Sequence, residues 1–403
     1  MKRVVITGAG TLNPLGATLC ETWASMRAGR CAIGPLTCRD VDRLSVQIGA
    51  EIKGFSPQEH FLKAKLSHLD RFSQIALVAA RQAMAQSGLA VDAQLALRAG
   101  VILGTAGGGN TTVDDNYRAV YQEGKNRVHP FVVPRLMHNA ATSHLAMEFG
   151  FKGPSFTIST ACASSNHAMG QALQLLRAGA ADVMLTGGSE AMLCFGGIKA
   201  WEGLRVMAQE SCRPFSRDRS GMVQGEGGAV FVFETLEHAQ ARDAEILAEV
   251  AGFGMSSDAS DIVMPDLDGP VRAIRAALDD AKVAPEAVGY INAHGTGTAA
   301  NDHIEAQALH AVFGARAARI PVSSTKSMHG HLIGGTSAVE LLACLMALRD
   351  GVVAPTVNHR EPDPDIDLDV VPNTSRAAEV DVAMSNAFAF GGLNAVLVLK
   401  RWP

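Results

Sequence analysis

A weak internal repeat constrains the fold of this chain more than any other feature of its sequence. Phe156–Thr160 opens a strand–helix segment whose helix ends in Leu-Arg-Ala-Gly, and Pro321–Thr325 opens one whose helix ends in Leu-Arg-Asp-Gly. Gly227–Phe233 then matches Gly391–Leu399, with a drift of two residues. Any two strand–helix units share part of such a pattern, but a nearly constant offset over several elements favours a duplication. We therefore expect two related halves.

Apolar, β-rich runs alternate with Ala- and Leu-rich stretches along the whole chain, which predicts an α/β protein with helices covering sheets. The predicted strands are Val4–Ile6, Ala99–Leu103, Phe156–Ser159, Val183–Thr186, Ala229–Phe233, Ile246–Val250 and Val288–Asn292, and the predicted helices are Arg71–Ser87, Ser164–Ala178 and Pro270–Ala281.

The join between the halves falls after Glu234 and before the strand at Ile246, so we place the halves at residues 1–243 and 244–403. No Pro- or Ser-rich linker marks this join. We therefore expect the halves to pack tightly against each other.

Composition excludes several classes of protein. Hydrophobic residues make up 47% of the 403 residues, which provides for a large core, and no run of about 18 apolar residues predicts a membrane span. The chain begins with an apparent strand and without the pattern of a signal peptide. Its seven scattered cysteines form no Cys-x-x-Cys pair, so we expect a reducing, cytoplasmic compartment and neither disulfides nor a metal site. A net charge of −5 argues against nucleic-acid binding.

Cys162 lies where a short apolar strand meets the helix that begins near Ser164. Such a cysteine is either a buried structural residue or a nucleophile. Unpaired N–H groups and the macrodipole at a helix N-terminus favour an anion, so we expect this thiol to ionise easily if it is a nucleophile.

His294 follows the strand Val288–Asn292 and precedes a Gly/Thr turn that contains Thr296 and Thr298. A histidine on such a loop either faces a pocket or is satisfied within the loop, and the threonines either bind a ligand or only stabilise the turn. The two acids that follow, Asp302 and Glu305, are typical of a helix start, where the dipole favours negative charge.

The segment Lys326-Ser-Met-His-Gly-His331 occupies the strand–helix junction that corresponds, by the repeat, to the junction at Cys162. A pseudo-two-fold axis would bring the two junctions together. The repeat therefore predicts that Lys326 and His331 lie close to Cys162, whereas a lone lysine entering a helix is usually solvated.

The C-terminal turn around Phe388, Phe390 and Gly391 has backbone N–H groups that could bind an oxyanion and aromatic rings that could line an apolar pocket, or it is an ordinary strand turn. Gly8-Ala-Gly10-Thr-Leu-Asn13 resembles a dinucleotide fingerprint, but its sixth position is Asn and no acid follows at the required place, so we expect no nicotinamide cofactor.

Together these motifs closely resemble the β-ketoacyl-acyl carrier protein synthase family of the elongating (synthase I/II) type. The resemblance covers essentially the whole chain and is specific because all motifs occur in family order and at family spacing. It includes the motifs already described and also Arg213-Pro-Phe-Ser, Gly225-Glu-Gly and Pro362–Asn373. The fold implied is the duplicated thiolase-like fold, in five α-β-α-β-α layers, which agrees with the repeat.

The resemblance implies a decarboxylative Claisen condensation between an acyl thioester and a malonyl-carrier thioester, in fatty-acid or polyketide and polyene chain elongation. Cys162 would carry the acyl chain, and the N–H groups of Cys162 and Phe390 would bind the oxyanion. His294 and His331 would bind the malonyl thioester carbonyl. The substrates would arrive on the phosphopantetheine of an acyl carrier protein, without a free cofactor or a metal.

In the same resemblance, Lys326 would bond Glu340 and support the histidines, and Thr296 and Thr298 would contact the pantetheine arm. Phe390 would gate the acyl pocket, whose lining would include Phe388 and Gly391. Gly107 would fall near the far end of that pocket.

The chain departs from the family pattern at the gate, where Ala389 replaces Gly and Leu393 replaces Thr, and at His329. Alanine restricts the backbone freedom that gate motion needs. We interpret His329 as a neighbour of the site and assign the chemistry to His331. These departures favour a specialised synthase, such as a nodulation-type or polyene-type enzyme.

The acidic carrier protein predicts basic residues near the entrance, and the candidates, each of which could equally be a plain solvated charge, are Lys63, Lys65, Arg71, Arg127 and Arg205. The family implies a homodimer, although a heterodimer with a sister subunit is an alternative. A second alternative is a non-catalytic, chain-length-factor-like subunit, but such subunits lack the cysteine. A degradative thiolase would need another cysteine near its C-terminus, and none follows Cys344.

Overall fold

The computed structural model describes residues 1–403. Ten strands form one continuous twisted sheet in the order β3-β2-β4-β5-β1-β6-β10-β9-β7-β8. In chain order they are β1 (Val4–Leu12), β2 (Ala99–Gly104), β3 (Ser155–Ile158), β4 (Val183–Glu190), β5 (Gly227–Thr235), β6 (Ala248–Ser257), β7 (Tyr290–Asn292), β8 (Val322–Ser323), β9 (Val382–Ala389) and β10 (Leu393–Lys400).

The two halves of this sheet repeat one topology. β1 to β5 lie in the order β3-β2-β4-β5-β1, and β6 to β10 lie in the equivalent order β8-β7-β9-β10-β6. The directions match as well, because β2 is parallel to β3 and β4 as β7 is to β8 and β9, while β5 and β10 run antiparallel to both of their neighbours. The expectation of a duplicated fold is confirmed by this topology.

The halves meet where β1 pairs with β6, through Val5 with Glu249 and Ile6 with Ala248. The largest apolar cluster has 47 buried residues drawn from both halves. The halves are therefore packed into one body, as the missing linker predicted.

Nine helices have eight residues or more, and in chain order they are α1 (Leu19–Arg27), α2 (Arg71–Ser87), α3 (Asn110–Tyr121), α4 (Ala140–Phe149), α5 (Ser164–Arg177), α6 (Phe195–Glu202), α7 (Asp268–Ala281), α8 (Ala299–Phe313) and α9 (Thr336–Asp350). Shorter helices are Pro57–His60, Lys63–Leu66, Ala93–Arg98, Val132–Leu136, Leu236–Ala241 and Lys326–His329, with 3-10 turns at Val41–Arg43, Pro285–Ala287, Gly314–Arg319 and Ile333–Gly335. Two small ribbons pair Gly34–Pro35 with Ile48–Gly49 and Val352–Val353 with Arg376–Ala377.

The helices lie in three layers, and the two halves of the sheet form the two β layers between them. α5 and α9 contact strands of both halves and each other, so they form the central layer, while α2 covers the first half and α7 the second. Every residue of α9 from Thr336 to Leu348 is buried, which explains why its sequence is apolar on all sides. The order of layers is α-β-α-β-α, as expected, and it buries the N-terminal ends of α5 and α9 in the middle of the molecule.

Several details of the sequence-based prediction need correction. The first strand extends to Leu12 instead of Ile6, and β7 begins at Tyr290 rather than Val288. The strand around Phe156 was expected to be buried, but β3 is an edge strand and Phe156 is 41% exposed. The strand after the join begins at Ala248 rather than Ile246, and α7 begins at Asp268 rather than Pro270. None of the helices is long and apolar enough to cross a membrane.

Candidate active site

Cys162 lies in the tight turn between β3 and α5. The preceding residue, Ala161, has φ of 47°, a left-handed conformation that is uncommon for a residue with a Cβ. Ser164 holds this turn, because its hydroxyl accepts a hydrogen bond from the N–H of Thr160 (2.9 Å) and donates one to the carbonyl of Ala161 (2.7 Å). The strained backbone therefore presents the Cys162 side chain at the N-terminal end of α5.

His331 follows the equivalent junction in the second half. Its Nε2 lies 3.0 Å from Cys162 Sγ. The backbone N–H of Ile333 donates to His331 Nδ1 at 3.1 Å, so Nδ1 is the acceptor of a neutral ring and the proton is on Nε2. The ring therefore directs an N–H group at the sulfur.

His294 follows the end of β7 and completes a three-residue cluster. Its ring makes an edge contact with that of His331, with centroids 5.6 Å apart. Lys326 Nζ lies 3.4 Å from His294 Nδ1 and also donates to the His294 carbonyl. An ammonium group has no lone pair, so Nδ1 is again the acceptor and the N–H is on Nε2.

Lys326 and Glu340 form a completely buried ion pair behind the histidines. Burial raises the pKa of Glu340, while the Lys326 charge acts in the opposite direction. Burial also lowers the pKa of His294 and of His331 well below the usual 6.5, and the Lys326 charge lowers both further. Both imidazoles are therefore neutral N–H donors at physiological pH.

The electrostatics of Cys162 differ from the expectation. Burial raises the pKa of its thiol to about 12, although the Lys326 charge and the backbone N–H groups of Phe390 and Cys162 act in the opposite direction. The expectation that this thiol ionises easily is wrong, because burial outweighs the helix N-terminus. The same two N–H groups, however, favour negative charge at this position.

Asp302 and Glu305 do more than begin a helix. Glu305 accepts hydrogen bonds from the N–H groups of His294 (2.8 Å) and Gly295 (2.7 Å), and Asp302 accepts from Gly297 (3.2 Å) in the same loop and from Phe215 (2.8 Å). Burial raises the pKa of Glu305 to about 7, and its hydrogen bonds lower it. Both carboxyl groups are buried supports of the His294 loop, which the sequence reading missed.

Glu190, at the end of β4, is a second support that the sequence reading missed. Its carboxylate accepts from the N–H groups of Ala106 (2.7 Å), Gly107 and Gly334, and from the Thr105 hydroxyl (3.0 Å). It therefore ties the first half to the loop that follows His331. In the sequence, Glu190 was visible only as an acid four residues after the predicted strand Val183–Thr186.

His329 stays outside the cluster. Its Nε2 lies 3.0 Å from the Thr325 hydroxyl, and its Nδ1 lies 2.7 Å from the carbonyl of Gly330. Burial lowers the pKa of His329 to about 3. This placement agrees with its interpretation as a neighbour of the site.

A cavity of about 120 Å³ opens beside Cys162. Among the residues predicted for the site, those that line it are Cys162, His294, Thr296, Thr298, His331, Phe388 and Phe390. Gly391 lies next to this lining and donates from its N–H to the carbonyl of Ile262 (2.8 Å). Gly107 does not line the cavity, and its N–H donates to the Glu190 carboxylate.

Cys162, His294 and His331 place three donor atoms within 4.8 Å of one another, which could hold a metal ion. The nearby Lys326 charge disfavours any cation there. The arrangement fits a thioester better, because it offers one sulfur nucleophile and two N–H donors.

Both halves of the chain match family descriptions. Residues 1–239 match the β-ketoacyl synthase N-terminal domain, and residues 247–360 match the β-ketoacyl synthase C-terminal domain. The chain is a β-ketoacyl synthase. It is 49% identical over 400 residues to nodulation protein E of Rhizobium sp. (strain N33), with 99% of each chain covered.

Other members of the family are also similar over the whole length of the chain. The 3-oxoacyl-[acyl-carrier-protein] synthase 2 of Staphylococcus aureus (strain COL) is 40% identical over 408 residues, covering 100% of this chain and 99% of that protein. The solved structure of the ishigamide ketosynthase/chain length factor is 36% identical and covers 100% of both chains, with a TM-score of 0.95. This synthase therefore has the duplicated thiolase-like fold and is a condensing acyltransferase.

Two of the five basic residues predicted to bind the carrier protein already form ion pairs within this β-ketoacyl synthase. Lys65 pairs with Glu148 and Arg71 with Glu226, while the other three candidates are exposed, namely Lys63, Arg127 and Arg205. A carrier-protein patch made of these five residues stays a prediction.

Proposed function

We propose that the chain elongates an acyl group by decarboxylative condensation, with Cys162 as the nucleophile. The observation that carries this proposal is the 3.0 Å contact between Cys162 Sγ and His331 Nε2 across the junction of the two halves. A chain-length-factor-like subunit without chemistry is the alternative, and the presence of Cys162 together with Lys326, His294 and His331 argues against it.

In the first half-reaction, the Cys162 sulfur attacks the carbonyl carbon of an acyl thioester. The tetrahedral oxyanion accepts hydrogen bonds from the N–H groups of Cys162 and Phe390, each contributing about 2.7–4 kcal/mol by analogy with other acyl-transfer sites. The carrier thiol leaves with the proton that the Cys162 thiol gave up. Because the thiol pKa is raised, proton loss accompanies attack, and the His331 N–H group stabilises the charge on sulfur.

In the second half-reaction, a malonyl thioester places its carbonyl oxygen between the Nε2–H groups of His294 and His331. Loss of CO2 leaves an enolate whose oxygen these donors stabilise. The enolate carbon attacks the acyl carbonyl on Cys162, the C–S bond breaks with its electron pair on sulfur, and the β-ketoacyl chain stays on the carrier. The Cys162 sulfur then takes a proton from water and returns to the thiol. Neutral donors suit this step because decarboxylation itself generates the carbanion, so no strong base is needed.

The Lys326 charge helps to keep both imidazoles neutral, and its contact with Nδ1 orients the His294 ring, while Glu340 balances its buried charge. Thr296 and Thr298 line the cavity between Cys162 and the surface, where they would contact the pantetheine arm. The carrier would be an acidic acyl carrier protein, and Lys63, Arg127 and Arg205 are the exposed cations available to bind it.

We further propose a homodimer. The outer edge of β3 has no neighbouring strand, and Phe156 on this strand is exposed, as are the large apolar side chains of Tyr117, Tyr121 and Val133 in the first half. An unpaired strand edge beside an apolar surface favours association. A heterodimer with a sister subunit, as in the ishigamide ketosynthase/chain length factor, is the alternative partner on this face.

The boundary at residues 243 and 244 and a cytoplasmic location belong to the same proposal. The gap between the family matches, from residue 239 to residue 247, supports the boundary. All seven cysteines are free, which supports a reducing compartment. The higher identity to nodulation protein E than to synthase 2 supports a specialised acyl substrate.

The test is product formation from acyl-carrier thioesters of several lengths, with and without double bonds, together with malonyl-carrier protein. We expect β-ketoacyl-carrier product from wild type and none from the His294→Asn, His331→Asn double variant. A chain that forms no product with any acyl group while folded as a dimer would support the non-catalytic alternative.

A further inference from the structure

Trp201 covers the outer face of Phe390. The two rings are stacked, with centroids 5.7 Å apart and planes inclined by 22°. Trp201 also lines the cavity beside Cys162. The aromatic pair therefore closes one side of the route to the nucleophile.

The two rings belong to different kinds of segment, a helix end and a glycine-containing turn. Trp201 lies in the last turn of α6, and the next residue, Glu202, accepts a hydrogen bond from the N–H of Val46 (2.9 Å) and an ion pair from Lys199 (2.7 Å). Phe390 lies in a three-residue turn between β9 and β10, followed by two glycines in the left-handed region. Because two glycines give this turn more backbone freedom than a helix end has, we expect motion between the rings to come from the turn.

The opposite side of the turn is held by backbone contacts. The N–H of Gly391 donates to the Ile262 carbonyl (2.8 Å), and the N–H of Asp258 donates to the Gly392 carbonyl (2.9 Å). The stack on Trp201 is thus a side-chain contact that a single substitution can remove without breaking these hydrogen bonds.

The cavity of about 120 Å³ is smaller than the roughly 300–1,000 Å³ typical of small-molecule sites. A long acyl chain therefore requires Phe390 to move. We propose that Trp201 is a positioning residue that latches Phe390 closed, so that it sets how readily long acyl chains reach Cys162. This proposal rests on the proposed role of Cys162 as the acyl acceptor.

The experiment compares methyl and octyl methanethiosulfonate, which transfer an alkylthio group to Cys162 and release methanesulfinate. Peptide mass spectrometry follows modification at Cys162 separately from the other cysteines. In Trp201→Leu we expect the octyl reagent to react about 2- to 10-fold faster than with wild type and the methyl reagent to be unchanged, because loss of a stacked aromatic pair shifts an equilibrium by about that factor. Trp201→Phe should restore the wild-type rates, and Trp402→Leu, which alters a tryptophan that contacts Arg3 instead, should leave both rates unchanged.

A double-variant cycle with Phe390→Leu completes the test. If Trp201 acts through Phe390, Trp201→Leu should have no further effect in that background. Equal acceleration of both reagents would overturn the latch, because it would mean that the substitution only widens the route, and an unchanged octyl rate would overturn it as well. These reagents need no condensing activity, so a chain that shows the octyl effect but never accepts acyl groups from a carrier would contradict the proposed function and leave the latch standing.

Discussion

Cys162 Sγ and His331 Nε2 lie 3.0 Å apart although 169 positions separate the two residues in the chain. Each follows a strand at the same place in its own half of the duplicated fold. The contact exists because the two N-terminal helix junctions of the central layer face each other. The chemistry of the site thus depends on both halves and on the single packed core that joins them.

The protonation state of the histidines is the first prediction. Burial and the Lys326 charge lower the pKa of His294 and His331 well below 6.5, so both rings should stay neutral, with the proton on Nε2, as the pH falls through 6.5. Nitrogen NMR of histidine-labelled protein, assigned with His294→Asn and His331→Asn, would show the tautomer. A ring that protonates near pH 6.5 would contradict the assigned donors.

The buried ion pair gives a second prediction. Lys326→Met leaves the Glu340 carboxyl buried without its partner, and we expect the free energy of unfolding to fall by about 3–5 kcal/mol. The double variant Lys326→Met, Glu340→Leu should recover most of this loss but no condensing activity. Urea denaturation measures the first effect and product formation the second. A double variant as unstable as Lys326→Met would show that the unpaired Glu340 carboxyl does not cause the loss of stability.

A third prediction concerns the buried carboxyl of Glu190. Burial raises its pKa to about 7, above the unfolded value of about 4.5, so its stabilising contribution is present below pH 4.5 and lost as the pH rises through 7. Glu190→Gln lacks this dependence. From pH 5 to pH 8, the difference in unfolding free energy should therefore shift by about 2–3 kcal/mol in favour of the variant.

Urea denaturation of Glu190→Gln and wild type at several pH values measures this shift. Asp261→Asn is a matched control, since Asp261 is exposed and backbone N–H groups lower the pKa of its carboxyl. A difference between Glu190→Gln and wild type that stays constant with pH would mean that Glu190 is ionised throughout.

The gate departure gives a fourth prediction. Ala389 pairs with Leu393 at the end of β9, directly before Phe390. Ala389→Gly should loosen the turn and accelerate transfer of long acyl chains to Cys162 by about 2- to 5-fold, with a loss of about 0.5–1 kcal/mol in stability. Leu393→Thr, the other departure, serves as the comparison. Single-turnover acylation measures this rate. If Ala389→Gly is acylated more slowly than wild type, the alanine does not restrain the gate.

The sequence predicted the duplicated topology and the Cys162, His331 and Lys326 cluster because both follow from the repeat. Helix α2 was predicted from Arg71 to Ser87 without error, because its pattern is long and regular. The sequence did not reveal which strands lie at the edge of the sheet. β3 has an apolar sequence, yet it is an edge strand and its Phe156 is exposed.

What the sequence could not show depends on contacts between distant residues. Glu190 and Glu305 were missed as supports because most of their partners are backbone N–H groups of loops that are distant in the chain or in a turn, and residue identity does not reveal such groups. The pKa of Cys162 was misjudged because local helix position is readable from sequence, whereas complete burial is not. Trp201 lies far from Phe390 in the chain, so no local pattern links the two rings.

The central claim is that Cys162 carries the acyl chain, and peptide mass spectrometry after incubation with an acyl-carrier thioester tests it most directly. The account predicts an acyl mass increase on the peptide that contains Cys162, in wild type and also in the His294→Asn, His331→Asn variant, which keeps the nucleophile and the oxyanion-binding N–H groups. Cys162→Ala should show no adduct. An acyl group on another residue, or an adduct that persists in Cys162→Ala, would contradict the account.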